Sequence, residues 1–76
     1  MKNVLLPELG EGVKKAVVAC WLAREGQRIR EDDDIVELVT DKASFNVSAG
    51  HNGKIKKIMV QEGETANIGD VLAVLE

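Results

Sequence analysis

The chain contains nearly the same half twice, and this repeat limits what it can fold into more than any other feature. Val18 to Gly26 (V-A-C-W-L-A-R-E-G) aligns with Ile55 to Gly63 (I-K-K-I-M-V-Q-E-G) at an offset of 37, each copy ending in Glu-Gly. With one residue dropped, Asp34 to Val39 (D-I-V-E-L-V) aligns with Asp70 to Leu75 (D-V-L-A-V-L) at an offset of 36. Each half thus reads strand, turn, strand. At 76 residues the chain is one domain with one marginal core. The halves are expected to pack as pseudo-symmetric partners around it.

Apolar residues within the repeated units follow a two-residue period, as in Val36 and Leu38 or Leu72 and Val74, which marks strands. Val18, Trp21 and Ala23 match Ile55, Ile58 and Val60, a spacing of three and then two. One extra residue in a strand, a β-bulge, produces that skip. Cys20 then matches Lys57 and faces outward; a core position is the competing reading. Trp21 reads as core, and with Phe45 it is one of two aromatic residues, so the interior is mostly Val, Ile, Leu and Ala.

All seven glycines fall between apolar runs, as turn punctuation does. The runs give eight short strands near 2–6, 16–23, 28–30, 35–40, 44–49, 54–60, 65–67 and 71–75, predicting an all-β sandwich or flattened barrel. Residues 24–34 come closest to a helix, but Gly26 and Asp32-Asp33-Asp34 oppose it.

The net charge of −3 offers no basic patch for nucleic acid, and the apolar runs are too short for a helix to cross a membrane. Residues 1–7 lack the features of a signal peptide, which makes the cytoplasm the default location, or the mitochondrial matrix if the source is eukaryotic. A single cysteine closes no internal disulfide and has no partner for a zinc site, so an inert thiol is expected. Glu31 to Asp34 lacks the spaced ligands and glycine of a calcium loop and reads as a solvated edge. His51, in a Gly/Asn turn, reads as solvent-facing.

Between the strand ending at Thr40 and the one starting at Ser44 lies Asp41-Lys42-Ala43, too short for anything but a tight hairpin. Lys42 is therefore expected to be solvated. A lysine in such a place is most often a solubilising charge, and a lysine ammonium is a poor nucleophile until an enzyme removes its proton.

The surrounding words give that lysine a different weight. Leu6-Pro7-Glu8-Leu9-Gly10-Glu11-Gly12, Trp21-Leu22 with Glu25-Gly26, Glu37 to Ala43 (E-L-V-T-D-K-A), Glu62-Gly63-Glu64 and Gly69 to Ala73 stand in order over essentially the whole chain. In this set the sequence resembles the lipoyl domains of 2-oxo acid dehydrogenase complexes, specifically of their dihydrolipoyl acyltransferase component. The resemblance implies a sandwich of two four-stranded antiparallel sheets and lipoate attached by an amide to Lys42, with Asp41 and Ala43 read by the modifying enzyme. It further implies a non-catalytic carrier served by a lipoate ligase or lipoyl transferase. That carrier, as an isolated domain monomeric, would shuttle between a thiamine-dependent decarboxylase, an acyltransferase core and dihydrolipoyl dehydrogenase.

In the family the loop corresponding to Glu8–Lys15 lies beside the lipoyl hairpin and helps the decarboxylase recognise its carrier, a role carried over to Gly10, Glu11 and Gly12. Val39 stands where an acidic residue is common in the family, and Ala49 to Gly53 replaces a more usual Pro-containing turn, which leaves partner specificity open. Biotin carrier domains share the fold but typically flank their lysine with methionine; Asp41 and Ala43 flank Lys42, with Met1 and Met59 far off in sequence. An unmodified structural adaptor is the remaining rival. A lone carrier is of limited use, so residues 1–76 are expected to be the N-terminal domain of a longer acyltransferase chain with a flexible linker. The repeat aligns Thr40 with Glu76, which predicts that tip and termini lie at opposite ends.

Overall fold

The computed structural model describes all residues, 1–76. Eight strands and no helix make up the chain: β1 (Lys2–Leu5), β2 (Lys15–Trp21), β3 (Arg28–Ile29), β4 (Asp34–Val39), β5 (Ser44–Ser48), β6 (Gly53–Ile58), β7 (Thr65–Asn67) and β8 (Val71–Leu75). They form two four-stranded antiparallel sheets, ordered β1-β8-β6-β3 and β5-β4-β2-β7. The number of strands, their class and their division into two sheets agree with the expectation. β2 and β6 both stop two residues short of it, at the matched positions Trp21 and Ile58.

The two sheets are copies of one another. Val18, Cys20 and Trp21 of β2 pair with Leu38, Glu37 and Val36 of β4; Ile55, Lys57 and Ile58 of β6 pair with Leu75, Val74 and Ala73 of β8. Every residue in the second set is its counterpart plus 37. The bulge falls where the apolar spacing placed it, between Val18 and Cys20 and again between Ile55 and Lys57. The turns repeat too. Asp33 accepts a hydrogen bond from the Arg30 amide through Oδ2, as Asp70 does from Asn67, again 37 residues on.

One offset therefore holds from β2 through β4 onto β6 through β8, and the sequence alignment that dropped a residue is corrected. Letter identity joins Asp34 to Asp70, but the run Asp32-Asp33-Asp34 offers several such matches, and hydrogen bonding selects Asp33. The residue equivalent to Glu76 is consequently Val39, not Thr40.

Sixteen residues are buried, all of them apolar, led in size by Leu6, Ile35, Leu38, Ile55, Leu72 and Leu75. They form a single cluster, as the small size of the domain demands. Trp21 departs from its expected core position. It is half-buried against the cluster, and its indole N–H donates to the Val60 carbonyl at 2.8 Å. A fully interior site would have had to supply that N–H with a buried acceptor; the sandwich edge supplies an open carbonyl. Cys20, open between two readings, points away from the core beside its cross-strand partner Glu37 and is part-exposed.

Candidate functional site: the Lys42 hairpin

β4 and β5 close their ladder at Val39 and Ser44, leaving Thr40-Asp41-Lys42-Ala43 to reverse the chain. Tight hairpins usually do this with type I′ or II′ turns, which need positive φ and hence Gly or Asn. This tip has neither residue, and no non-glycine residue in the chain has a positive φ. Thr40 makes up the difference. Its amide donates to the Ala43 carbonyl at 2.9 Å, and its hydroxyl donates to the same oxygen at 3.0 Å. The hydroxyl oxygen in turn accepts from the amides of Lys42 (3.2 Å) and Ala43 (3.1 Å). A side-chain oxygen thus takes the part of a main-chain carbonyl, the usual service of Thr at turns. The backbone beneath Lys42 is tied down while its side chain stands exposed.

The loop from Leu6 to Lys14 lies against this tip. Gly10 and Gly12 have φ of +132° and +81°, and the Val13 amide closes a turn on the Gly10 carbonyl at 3.2 Å. A Cβ on Gly12 would stand 3.4 Å from Lys42 Nζ. Of the residues singled out in the sequence, Asp41, Lys42 and Ala43 are exposed on the tip, and Gly10, Glu11 and Gly12 are exposed on the neighbouring loop; of the two glycines, Gly12 is the one next to Lys42 Nζ.

The opposite end of the molecule holds the termini. Glu76 and Lys54 exchange backbone hydrogen bonds at 3.0 and 3.2 Å beside Gly53, while β8 begins at the turn where Ile68 bonds to Lys14, next to the tip loop. One strand length separates the two ends of a molecule 32 Å long. The expected placement of tip and termini holds, with the equivalence moved by one residue.

Residues 2–75 match the model of the biotin/lipoyl family, described as biotin-requiring enzyme. This chain belongs to that family. Within it, the solved lipoyl domain of the 2-oxoglutarate dehydrogenase complex from Azotobacter vinelandii superposes with a TM-score of 0.78 at 30% identity, covering 100% of this chain and 96% of that one. The dihydrolipoyllysine-residue acetyltransferase component of the pyruvate dehydrogenase complex from Staphylococcus aureus is 32% identical over 71 residues, 93% of this chain and 16% of its own length. The succinyltransferase component of the 2-oxoglutarate dehydrogenase complex from Buchnera aphidicola is 39% identical over 70 residues, 92% of this chain and 18% of its own. The chain thus spans less than a fifth of the two acyltransferase components' lengths and has the lipoyl-domain fold.

Thr40 is the residue at this biotin/lipoyl-family tip that the sequence reading passed over. The signal was present as a Thr two positions before the lysine in a turn without Gly or Asn, where a hydroxyl can collect the free amides. Val17 and Val39 were also missed as a feature. They are cross-strand partners on the outer face beside the tip, and both are exposed.

Proposed function

We propose that the chain is a lipoyl carrier domain and that Lys42 is the residue to which lipoate is joined by an amide. The observation that carries this is the tip itself, a backbone fixed through Thr40 beneath an exposed lysine, with Asp41 and Ala43 as flanks. The surroundings suit such a group. Gly12 leaves no side chain beside Nζ, and neither flank is the methionine of a biotin carrier.

The amide would remove the lysine's charge and join two flexible chains into one arm rooted on a rigid sandwich. Bound lipoate supplies the dithiolane that is reduced on accepting an acyl group and reoxidised after giving it up. Tethering raises the effective concentration of cargo at successive active sites when they lie within reach. The partners in this reading are a lipoate ligase or lipoyl transferase, a thiamine-dependent decarboxylase, an acyltransferase core and dihydrolipoyl dehydrogenase. The complexes named for the two relatives above support the last three of these, and a domain at the start of a longer acyltransferase chain remains part of the same reading. Asp41 and Ala43 present the lysine to the modifying enzyme, while Gly10, Glu11 and Gly12 form part of the face shown to the decarboxylase.

Co-expression with lipoate ligase and, separately, biotin ligase, followed by intact-mass measurement, tests the assignment. A lipoyl increment that disappears in Lys42→Arg is expected. A biotinyl increment would make the chain a carboxylase carrier, and no increment from either would make it a structural adaptor.

A further inference from the structure

Because the pairings of β2 with β4 repeat in β6 with β8 at one offset, a position where the two pairs differ in kind points to something required of one end alone. The cross-strand pair Lys54 and Glu76, at the terminal end, is charged. Its counterpart 37 residues earlier is Val17 and Val39, at the tip end. Both valines point outward, 40% and 39% exposed. Their neighbours across the same row of the sheet are polar: Ser44 beyond Val39 and Thr65 beyond Val17. An apolar pair on an otherwise polar outer row gains nothing for the core.

The pair forms part of an open groove whose wall also includes Gly12, Thr40 and Asp41. Gly12, in that wall, carries no side chain, and the position a Cβ would take there is 3.4 Å from Lys42 Nζ. We infer that Val17 and Val39 form a docking strip for the methylene chain carried on Lys42, so that the acylated arm lies back on its own domain between visits to partners. The inference rests on the carrier reading for its occupant. Before acylation the ammonium favours water over the two valines; as a neutral amide with an aliphatic tail, the same side chain gains by covering them. Docking is an equilibrium on an open surface, so the arm remains available to a partner that offers a deeper site.

Total chemical synthesis of the 76-residue chain with Nε-octanoyl-lysine at position 42 tests this without any ligase, so failure of enzymatic loading and failure of docking are separate results. Nε-acetyl-lysine at the same position removes the charge without adding the chain. We expect nuclear Overhauser contacts between octanoyl methylenes and the Val17 and Val39 methyls, with methyl shifts larger than those in the acetyl domain. The double variant Val17→Lys/Val39→Glu installs the pair that the other half already carries, so it should fold, and its octanoyl methylene shifts should return to those of a free octanoyl amide. Equal shifts in the octanoyl and acetyl domains, or octanoyl methylene shifts unchanged in the folded double variant, would overturn the inference. An octanoyl chain with no contact to either valine would do the same.

Discussion

Glu62 accepts a hydrogen bond from the backbone amide of Trp21 at 3.0 Å, across 41 residues of sequence. Adding 37 to Trp21 and subtracting it from Glu62 gives the mate of this contact, in which Glu25 accepts from the Ile58 amide at 2.8 Å. Each half of the sandwich therefore caps the strand end of the other. The Gly63 and Gly26 amides repeat the exchange on the Val18 and Ile55 carbonyls. Glu62→Ala and Glu25→Ala should each cost about 1 kcal/mol, since each removes one partly solvated charged acceptor from a main-chain donor. Urea denaturation should show the two losses to be similar. A large loss from one alone would mean that the symmetry of the contacts is not a symmetry of energies.

The strength of the core can be tested with a matched pair. Leu38 and Leu75 are equivalent, fully buried residues. Truncating either to Ala should cost about 3 kcal/mol through lost burial and an incompletely collapsed cavity. For a domain this small that corresponds to a fall in melting temperature of roughly 15 °C. Thermal unfolding followed by circular dichroism checks it.

Thr40→Val keeps the shape of the side chain but removes its oxygen. The amides of Lys42 and Ala43 then lose their acceptor, and their hydrogen exchange should accelerate well beyond that of neighbouring strand amides. Thr40→Ser should restore protection. If the tip is also what a ligase reads, loading of Lys42 should fall in the Val variant and recover with Ser.

Gly12→Ala should destabilise by about 1 kcal/mol because an L side chain is strained at φ +81°. Gly63→Ala, at φ +86° with open space around it, should cost about as much. Only the Gly12 change should shift the Lys42 side-chain resonances, because only its Cβ would meet Nζ. Equal effects on Lys42 from both variants would remove the loop from the site.

The Cys20 thiol is raised above its ordinary value of 9.0, first by its hydrogen bond to Glu37 at 3.4 Å, then by desolvation and the charges of Glu37 and Glu62. Iodoacetamide should alkylate it slowly at neutral pH, with the rate rising only at more alkaline pH than for an unperturbed cysteine. Glu37→Gln should move that rise toward neutrality. The sign for folding follows. Above 9.0 the unfolded thiol loses its proton before the folded one does, so the native state is progressively disfavoured as pH climbs through the window between the two values.

Much of this was legible from local pattern. The eight strands, the bulge after Val18, the glycine turns and the exposed lysine between β4 and β5 follow from alternation and turn chemistry, which act between near neighbours in the chain. Trp21 was misplaced because an aromatic in an apolar run reads as interior. Its N–H needed a partner, and the open Val60 carbonyl that met that need at the edge of the sandwich lies 39 residues away.

The repeat in the sequence by itself determined that two like halves would share one core, and that Lys42 would sit on a turn of one of them. Only the tertiary structure decided the single offset of 37, which makes Val39 the equivalent of Glu76 and exposes the contrast between Val17/Val39 and Lys54/Glu76. It alone put Nζ of Lys42 against the bare Cα of Gly12 within the expected loop, and set Glu25 and Glu62 on each other's strands. The physical reason is that letters align by identity, whereas strands align by the hydrogen bonds and buried faces they can satisfy together. Those are settled between residues far apart in the chain.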